Sequence, residues 1–296
     1  MTLIVLCSAK GSPGVTTTAL ALGLTWPVEA DGRVLVVDAD PAGADIASGY
    51  LQGAAGPGLI GVATNRSANV VDAVAENAVA LDASGTRLVV PGSPGSWRGL
   101  SPVWSRLRDL ADARSDEGLW DVIVDAGRAN ATDASPVLER ADLVVLVVGS
   151  SLRAVAAARP VAARLRETRT AQQRVPDSIV LLVVGERRPY PASEVATAVG
   201  LRALACIAWD PGAAAVLSDG ARPSGRFIRS ALMRSAAATA RELHTRVETP
   251  PVTGRATASV GADVSVVESV TTARAAERSA EPGPRAGVSP GEGVAS

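Results

Sequence analysis

Lysine, histidine and cysteine are scarce in this chain of 296 residues, and only one of its 29 basic side chains, Lys10, is a lysine. The two cysteines, Cys7 and Cys206, provide neither a metal-binding motif nor a disulfide framework, so we expect a reducing, cytoplasmic environment. No run approaches the ~18 apolar residues of a membrane-spanning helix, so we expect no transmembrane helix. The 30 acidic side chains leave a formal charge of -1, which excludes nucleic-acid binding through bulk charge.

Apolar residues make up 47% of the chain, enough for a substantial folded core. From Thr249 onward the composition changes to Ala, Ser, Thr, Gly, Pro, Glu and Arg without periodicity and without aromatic residues. Such a segment buries too little surface to offset its ordering entropy. We therefore predict a folded domain over residues 1–247 and a disordered tail over residues 248–296.

Within the predicted domain, short apolar runs alternate with segments of helical length. The predicted strands are residues 3–7, 33–37, 87–90, 121–125, 143–148, 179–184 and 204–207. The predicted helices are residues 16–24, 102–113, 152–166, 192–199, 213–217 and 225–246. Several strands consist almost entirely of Val, Leu and Ile, which is typical of parallel strands covered on both faces. The pattern predicts an α/β fold with a doubly wound, mainly parallel sheet.

A glycine-containing loop joins the first predicted strand to the first predicted helix. It reads Lys10-Gly11-Ser12-Pro13-Gly14-Val15-Thr16-Thr17-Thr18. In such a loop, backbone N–H groups converge on an anion at the helix N-terminus, where the helix dipole favours negative charge. Thr16 lies where a phosphate-binding loop supplies a hydroxyl to Mg²⁺. Because arginine replaces lysine almost everywhere else, we expect Lys10 to lie where a guanidinium does not fit.

Three aspartates follow predicted strands at their carboxyl ends. Asp38 and Asp40 come after the second strand, and Asp125 ends the fourth. Open α/β sheets bind ligands at this edge, so we expect the three carboxylates to lie near Thr16. A hydroxyl with nearby carboxylates suits a Mg²⁺–phosphate site.

These motifs resemble those of the ParA/MinD family of deviant Walker-type ATPases, which includes the pilus-associated CpaE-like proteins, over residues 1–247. The resemblance is carried by residues 10–17, 38–41, 121–125, 141–147 and 207–211. The family pattern is Lys-Gly-Gly-x-Gly-Lys-Thr-Thr, and its first lysine corresponds to Lys10. That lysine reaches the partner's phosphates in an ATP-sandwiched dimer.

The resemblance implies a role for each matching residue. The implied nucleotide contacts are Lys10, Gly11, Ser12, Gly14, Val15, Thr16 and Thr17. Thr16 would bind Mg²⁺, Asp38 and Asp125 would hold metal-bound waters, and Asp40 would position the attacking water. Lys10 and Asp40 would thus be the catalytic residues. ATP would close a homodimer and hydrolysis would release it, which would position DNA, a division regulator, or a pilus or secretion complex.

The loop departs from the family pattern in ways that leave the function open. Val15 replaces the second lysine, and losing a charge-assisted contact costs about 1.5–3 kcal/mol. Ser12 replaces the second glycine, Pro13 removes one N–H donor, and residues 184–187 lack the asparagine that often reads adenine. The chain is then either a weak ATPase or a pseudo-ATPase scaffold. A third alternative is a dinucleotide-binding domain, but the glycine pattern Gly-x-Gly-x-x-Gly is absent.

The last predicted helix, residues 225–246, has one apolar and one basic side. Its apolar side carries Phe227, Ile228, Ala231, Leu232 and Leu243. Its opposite side carries Arg226, Arg229, Arg234 and Arg241. The basic side is either a solvated face or a weak contact for DNA phosphates or an acidic protein. We expect Trp209, which lies just before Asp210-Pro211, to be a core or seam residue.

Overall fold

The computed structural model describes residues 2–10, 13–28, 32–54, 56–67, 69–93, 103, 105–106, 109–110, 120–129, 136–172 and 178–248. Its strands are β1 (Leu3–Ser8), β2 (Arg33–Asp38), β3 (Val79–Ala80), β4 (Arg87–Val90), β5 (Trp120–Arg128), β6 (Leu143–Gly149), β7 (Ile179–Val184) and β8 (Ala203–Ile207). They form one sheet in the order β3-β4-β2-β5-β1-β6-β7-β8. All neighbouring strands are parallel except β3, which pairs antiparallel with β4.

Helices connect these strands on both sides of the sheet. They are α1 (Val15–Thr25), α2 (Gly58–Thr64), α3 (Val70–Asn77), α4 (Pro136–Arg140), α5 (Leu152–Ala171), α6 (Ala192–Val199), α7 (Pro211–Ser218) and α8 (Ala231–Glu248). A π-helical turn at Ile46–Tyr50 follows β2, and a 3-10 turn at Phe227–Arg229 precedes α8. Within the described ranges, no helix combines the length and apolar content needed to cross a membrane.

The strands alternate between two apolar cores because successive side chains point to opposite faces of the sheet. In β1, for example, Leu3 and Val5 face one core while Ile4 and Leu6 face the other. Helices α2, α3, α5 and α6 cover the first core, and α1, α7 and α8 cover the second. Burial on both faces explains why these strands are continuous Val, Leu and Ile runs.

The predicted doubly wound α/β fold is confirmed. All seven predicted strands are present, and two of them, β4 and β7, match at both ends. The sequence reasoning missed the short strand β3, helices α2, α3 and α4, and the π-helical turn. Most of predicted helix 102–113 and the predicted tail lie outside the described residues.

The prediction of one continuous C-terminal helix over residues 225–246 is wrong. The backbone is extended at Ser230, with ψ of 163°, so the 3-10 turn and α8 are separate elements. Leu232 and Leu243 are buried as expected, but Ile228 lies before the break and is 67% exposed. Asp210 stabilises the new helix start, because its Oδ2 accepts hydrogen bonds from the Ala231 and Leu232 N–H groups.

A buried arginine ties α5 to the chain around β6. Arg169 is 3% exposed, and its Nε donates a hydrogen bond to Ser178 Oγ at 3.0 Å. Its Nη atoms donate to the carbonyl oxygens of Leu138 and Ala141 at 3.2 and 2.8 Å. Arg169 therefore satisfies carbonyl groups at the end of α4 that the helix itself leaves unpaired.

Candidate functional site

The candidate site lies at the carboxyl edge of the sheet, where β2, β5 and β1 are neighbours. Asp38 at the end of β2 pairs in register with Asp125 of β5, and Asp125 pairs with Leu6 of β1. After β1 the chain crosses to β2 on one side, while β6 lies on the other. This is a topological switch point, where open α/β sheets form a ligand-binding crevice.

Helix α1 begins at this edge with backbone N–H donors that pair with none of the described residues. Gly14 precedes the helix in the left-handed conformation, with φ of +85°, and no side chain of the described residues caps the helix start. The first helical hydrogen bond runs from Thr18 N to Gly14 O, so the N–H groups of residues 15–17 precede the hydrogen-bonded ladder. The first turn carries no acidic side chain. These features favour an anion at the start of α1.

Asp38 is a buried carboxyl group, only 1% exposed. Burial raises its pKa from 3.8 to about 6, although hydrogen bonds from the backbone N–H groups of Ile46, Asp40 and Gly92 oppose that rise. The Ile46 N–H begins the π-helical turn and lies 3.4 Å from Asp38 Oδ2. Residues 40–46, which follow β2, are thus hydrogen-bonded to this carboxylate at both ends.

Asp125 is fully buried next to Asp38 and on the same side of the sheet as α1. Burial, reinforced by the charge of Asp38, raises the pKa of Asp125 from 3.8 to about 7. Its interaction with the Thr16 hydroxyl and a 2.8 Å hydrogen bond from Gly127 N counteract that rise. Two adjacent buried carboxyl groups, each with a raised pKa, favour a nearby cation, because charging them without one is costly.

The residues present fit a magnesium ion. Asp125 Oδ2 is buried and forms no hydrogen bond within the described part of the chain. Together with Asp38 and the Thr16 hydroxyl, it forms a set of hard oxygen donors, which Mg²⁺ prefers. No group of three or more His, Cys, Asp or Glu side chains among the described residues could hold a metal directly. The donor set therefore suits an ion that keeps several of its own waters.

Two glycines leave the space that the carboxylates of Asp40 and Asp38 occupy, and the sequence reasoning missed both. A Cβ at Gly127, where φ is +62°, would overlap the Asp40 carboxylate. A Cβ at Gly92 would lie 2.9 Å from the Asp38 carboxylate. The only signal in the sequence is that Gly127 follows Asp125 at the same two-residue interval that separates Asp40 from Asp38. That interval alone does not reveal the close packing.

The described residues of the predicted phosphate loop differ in how far their side chains are exposed. Lys10 is exposed directly after β1 and forms no ion pair with the residues that the structure describes. Thr16 and Thr17 lie in the first turn of α1 and are half-buried. Val15 is only 6% exposed and packs in the apolar core beside α1, so only its backbone N–H faces the candidate anion site. Gly11 and Ser12 lie outside the described residues.

A cavity of about 250 Å³ adjoins the start of α1. Its lining comes from the loop before α1, the first turns of α1, the ends of β7 and β8, α7 and the start of α8: Pro13, Gly14, Thr17, Thr18, Val184, Ile207, Ala208, Trp209, Asp210, Pro211, Ala214, Ala215, Ser218, Asp219 and Leu232. Trp209 is 55% exposed and lines this cavity, so of the predicted core or seam positions the core is excluded.

The four arginines of the predicted basic face are all exposed. Arg234 and Arg241 lie on α8, whereas Arg226 and Arg229 lie at the 3-10 turn. Arg234 Nη1 donates a hydrogen bond to Arg229 O at 2.8 Å, which links the two segments. The arginines therefore do not lie on one helical face, because the break at Ser230 interrupts the 100° periodicity.

Neither a protein-family model nor a curated protein matches this chain. Solved structures do. A chain of the MinC:MinD cell division protein complex from Aquifex aeolicus matches with a TM-score of 0.63 and 15% identity, over 86% of this chain and 99% of that chain. A ParA family ATPase from Chlorobium tepidum TLS matches with a TM-score of 0.59 and 19% identity, over 82% and 98%.

A third similar structure is the septum site-determining protein MinD from Pyrococcus horikoshii OT3, complexed with Mg-ADP. It matches with a TM-score of 0.53 and 16% identity, over 81% of this chain and 94% of that chain. Identities this low establish architecture. The chain therefore has the fold of the MinD and ParA ATPases over most of its length.

Proposed function

We propose that this chain is a ParA/MinD-like protein that binds ATP with Mg²⁺ at the start of α1, hydrolyses it slowly and dimerises when ATP is bound. The observation that carries the proposal is the buried, in-register pair Asp38 and Asp125 beside Thr16, at the edge where the first N–H groups of α1 have no partner in the described part of the chain. An anionic phosphate chain and a hydrated cation complement these two features together.

In this proposal each group of the site has a separate role in binding or hydrolysis. The N–H groups at the start of α1 would bind phosphate oxygens, and the Thr16 hydroxyl would bind the metal. Asp38 and Asp125 would accept hydrogen bonds from metal-bound waters. A bound Mg²⁺ would supply positive charge to the phosphates during transfer. Asp40, which is partly exposed and packs against Gly127, would orient the attacking water.

Lys10 is the cation that best compensates for Val15. Because the Val15 side chain is in the core, its position supplies no charge to the phosphates of its own subunit. Lys10 is exposed at the same edge and projects from the short loop between β1 and α1. In a symmetric dimer closed over this edge, each Lys10 would approach the phosphates bound by the partner subunit.

The proposed biological role is positioning or partitioning of DNA, or of a division, pilus or secretion complex, in the cytoplasm. Dimerisation would double the exposed arginine surface around Arg226, Arg229, Arg234 and Arg241. Weak contacts of this kind with DNA phosphates or an acidic protein strengthen when several act together.

One observation favours a second candidate function, a pseudo-ATPase that acts as a regulatory scaffold. Val15 is integrated into the core rather than placed at the phosphates. A protein with this substitution could bind nucleotide, or only partners, without turning ATP over.

The test compares the parent protein with Lys10→Ala and Val15→Lys, using Arg159→Ala as a control that removes an exposed cation from α5. ATP binding, ATP turnover and sedimentation are measured for each variant, and circular dichroism checks folding. We expect Lys10→Ala to lose the ATP-dependent dimer, Val15→Lys to turn ATP over faster, and the control to match the parent.

Each contrary result points to a particular alternative. ATP binding without turnover in the parent protein, with no dimer formed, would favour the scaffold. Tight NAD binding with indifference to ATP would favour the dinucleotide-binding alternative. An ATP-dependent dimer that survives Lys10→Ala would contradict the role given to that lysine.

A further inference from the structure

The cavity beside the start of α1 has an unusual aromatic wall. Trp209 follows β8 and keeps 55% of its surface exposed, although tryptophan is normally well buried. The same cavity reaches Gly14 and Thr17, so it is continuous with the candidate phosphate site. A group attached to a phosphate chain at α1 would extend toward this indole ring.

The loop after β7 fixes the ring from one side. The guanidinium carbon of Arg188 lies 5.2 Å from the ring centroid of Trp209, within the range of a cation–π interaction. Gly185 also packs against this residue, since a Cβ at Gly185 would lie 3.5 Å from the Trp209 ring. The exposed tryptophan therefore contacts Arg188 and Gly185 of the loop after β7.

The backbone that carries Arg188 is itself anchored by a buried serine at the end of β6. Ser150 is 3% exposed, and its hydroxyl donates a hydrogen bond to Gly185 O. The same hydroxyl accepts a hydrogen bond from Arg188 N at 2.9 Å. Tyr190 N donates to Ser150 O at 3.2 Å. The backbone of Arg188 is thus attached to the end of β6.

The polar side chains of the cavity offer little discrimination between bases. Asp210 is already occupied, because it accepts from Ala213 N and from the first N–H groups of α8. Ser218 Oγ donates to Asp219 Oδ2 at 2.8 Å. The remaining Asp219 oxygen could accept from an N–H group of either adenine or guanine. No asparagine or glutamine belongs to the described lining.

We propose that Trp209, positioned by Arg188, is the stacking platform for the nucleotide base, and that the site selects purines by stacking while separating adenine from guanine only weakly. This inference rests on the proposed function, since it assumes that α1 binds the phosphate chain. Stacking is sequence-tolerant because every base has a π-face, and larger bases cover more of the ring.

The experiment measures calorimetric affinities for the Mg²⁺ complexes of ATP, GTP and CTP, and for inorganic tripolyphosphate as a probe without a base. The proteins are the parent chain, Trp209→Ala, Trp209→Phe and Arg188→Gln. Ile228→Ala is the matched control, because Ile228 is a similarly exposed apolar residue outside the cavity.

We expect the parent to bind ATP and GTP within about tenfold of each other, and CTP more weakly. Trp209→Ala should weaken ATP and GTP by roughly 5- to 150-fold while leaving tripolyphosphate unchanged. Trp209→Phe should retain most of the affinity. Arg188→Gln should cost roughly two- to fivefold. Ile228→Ala should behave as the parent.

Failure of this inference is distinguishable from failure of the proposed function. If neither ATP nor tripolyphosphate binds the parent protein, the proposed function fails and the inference falls with it. If the parent binds ATP but Trp209→Ala changes nothing, or weakens tripolyphosphate equally, the inference alone is overturned. A preference of about 100-fold for ATP over GTP would also overturn it.

Discussion

Replacing Asp125 with asparagine should stabilise the protein at alkaline pH when Mg²⁺ and nucleotide are absent. The substitution removes one charge from a fully buried pair while keeping the shape of the side chain. The amide oxygen can still accept the hydrogen bond from Gly127 N, and the amide N–H₂ group takes the place of Oδ2, which forms no hydrogen bond among the described residues. The cost of charging this site is thereby removed without opening a cavity.

The size of this change in the free energy of unfolding follows from the pKa of Asp125. The carboxyl has an ordinary pKa of 3.8 in the unfolded chain and a pKa of about 7 in the folded protein. Between these pH values the unfolded chain loses a proton that the folded protein retains, so stability falls as pH rises and levels off above pH 7. At about 1.4 kcal/mol per pKa unit, the contribution approaches about 4 kcal/mol.

The assay is urea denaturation followed by circular dichroism at pH 4 and pH 8, in buffer with a metal chelator. At pH 8 we expect Asp125→Asn to be more stable than the parent by about 2–4 kcal/mol, and at pH 4 to match it within about 1 kcal/mol. Glu194→Gln, which removes an exposed carboxylate from α6, is the control and should show neither effect. Equal stabilities at pH 8 would refute the reasoning.

Three further predictions concern Gly127, which packs against Asp40, the buried Arg169, and the pH dependence of Mg²⁺–ATP binding. Gly127→Ala should destabilise the fold by about 1 kcal/mol and, by displacing the Asp40 carboxylate, should lower ATP turnover about 100-fold. Gly85→Ala is the control, because Gly85 has a similar positive φ but open surroundings, and it should leave turnover unchanged. Arg169→Ala should cost about 3 kcal/mol in urea denaturation, because it leaves buried carbonyls unpaired, whereas exposed Arg159→Ala should cost little. Calorimetric affinity for Mg²⁺–ATP should rise between pH 5.5 and 8 as the two buried carboxyls, with pKa values of about 6 and 7, lose their protons; an affinity that falls with pH would contradict this.

The sequence predicted the sheet well because its strands are buried on both faces. Runs such as residues 143–148 and 179–184 have no polar residues, and short runs of this kind are typical of covered parallel strands. The order of strand-end aspartates then followed from the parallel direction of the strands. The pairing of Asp38 with Asp125 is a direct consequence of β2 lying beside β5.

Elements stabilised by tertiary contacts were harder to predict. Helix α2 contains two glycines in seven residues, so its helix propensity is poor, and its formation depends on packing of Leu59 and Val62 in the core. The break before α8 depends on Asp210, which is distant in sequence and accepts the first N–H groups of that helix. The hydrophobic periodicity of the sequence continues across the break, so it does not reveal that the helix is interrupted.

Side-chain placement in the site was the least predictable. Val15 and Thr16 are neighbours in the first turn of α1, yet one packs in the core and the other approaches Asp125. Trp209 is large and apolar, but its ring lies on the cavity wall beside Arg188. Both outcomes depend on the direction in which a short loop leaves its strand, which residue type does not determine.

The most direct test of the central claim is the dependence of ATP binding on Mg²⁺. Calorimetric titration at pH 8 would compare ATP with Mg²⁺ and ATP with a chelator, for the parent protein, Asp38→Asn and Asp125→Asn. The account predicts that Mg²⁺ strengthens binding by at least about tenfold in the parent protein and that either substitution removes most of this gain. Binding that ignores Mg²⁺, or a Mg²⁺ gain that survives both substitutions, would contradict it.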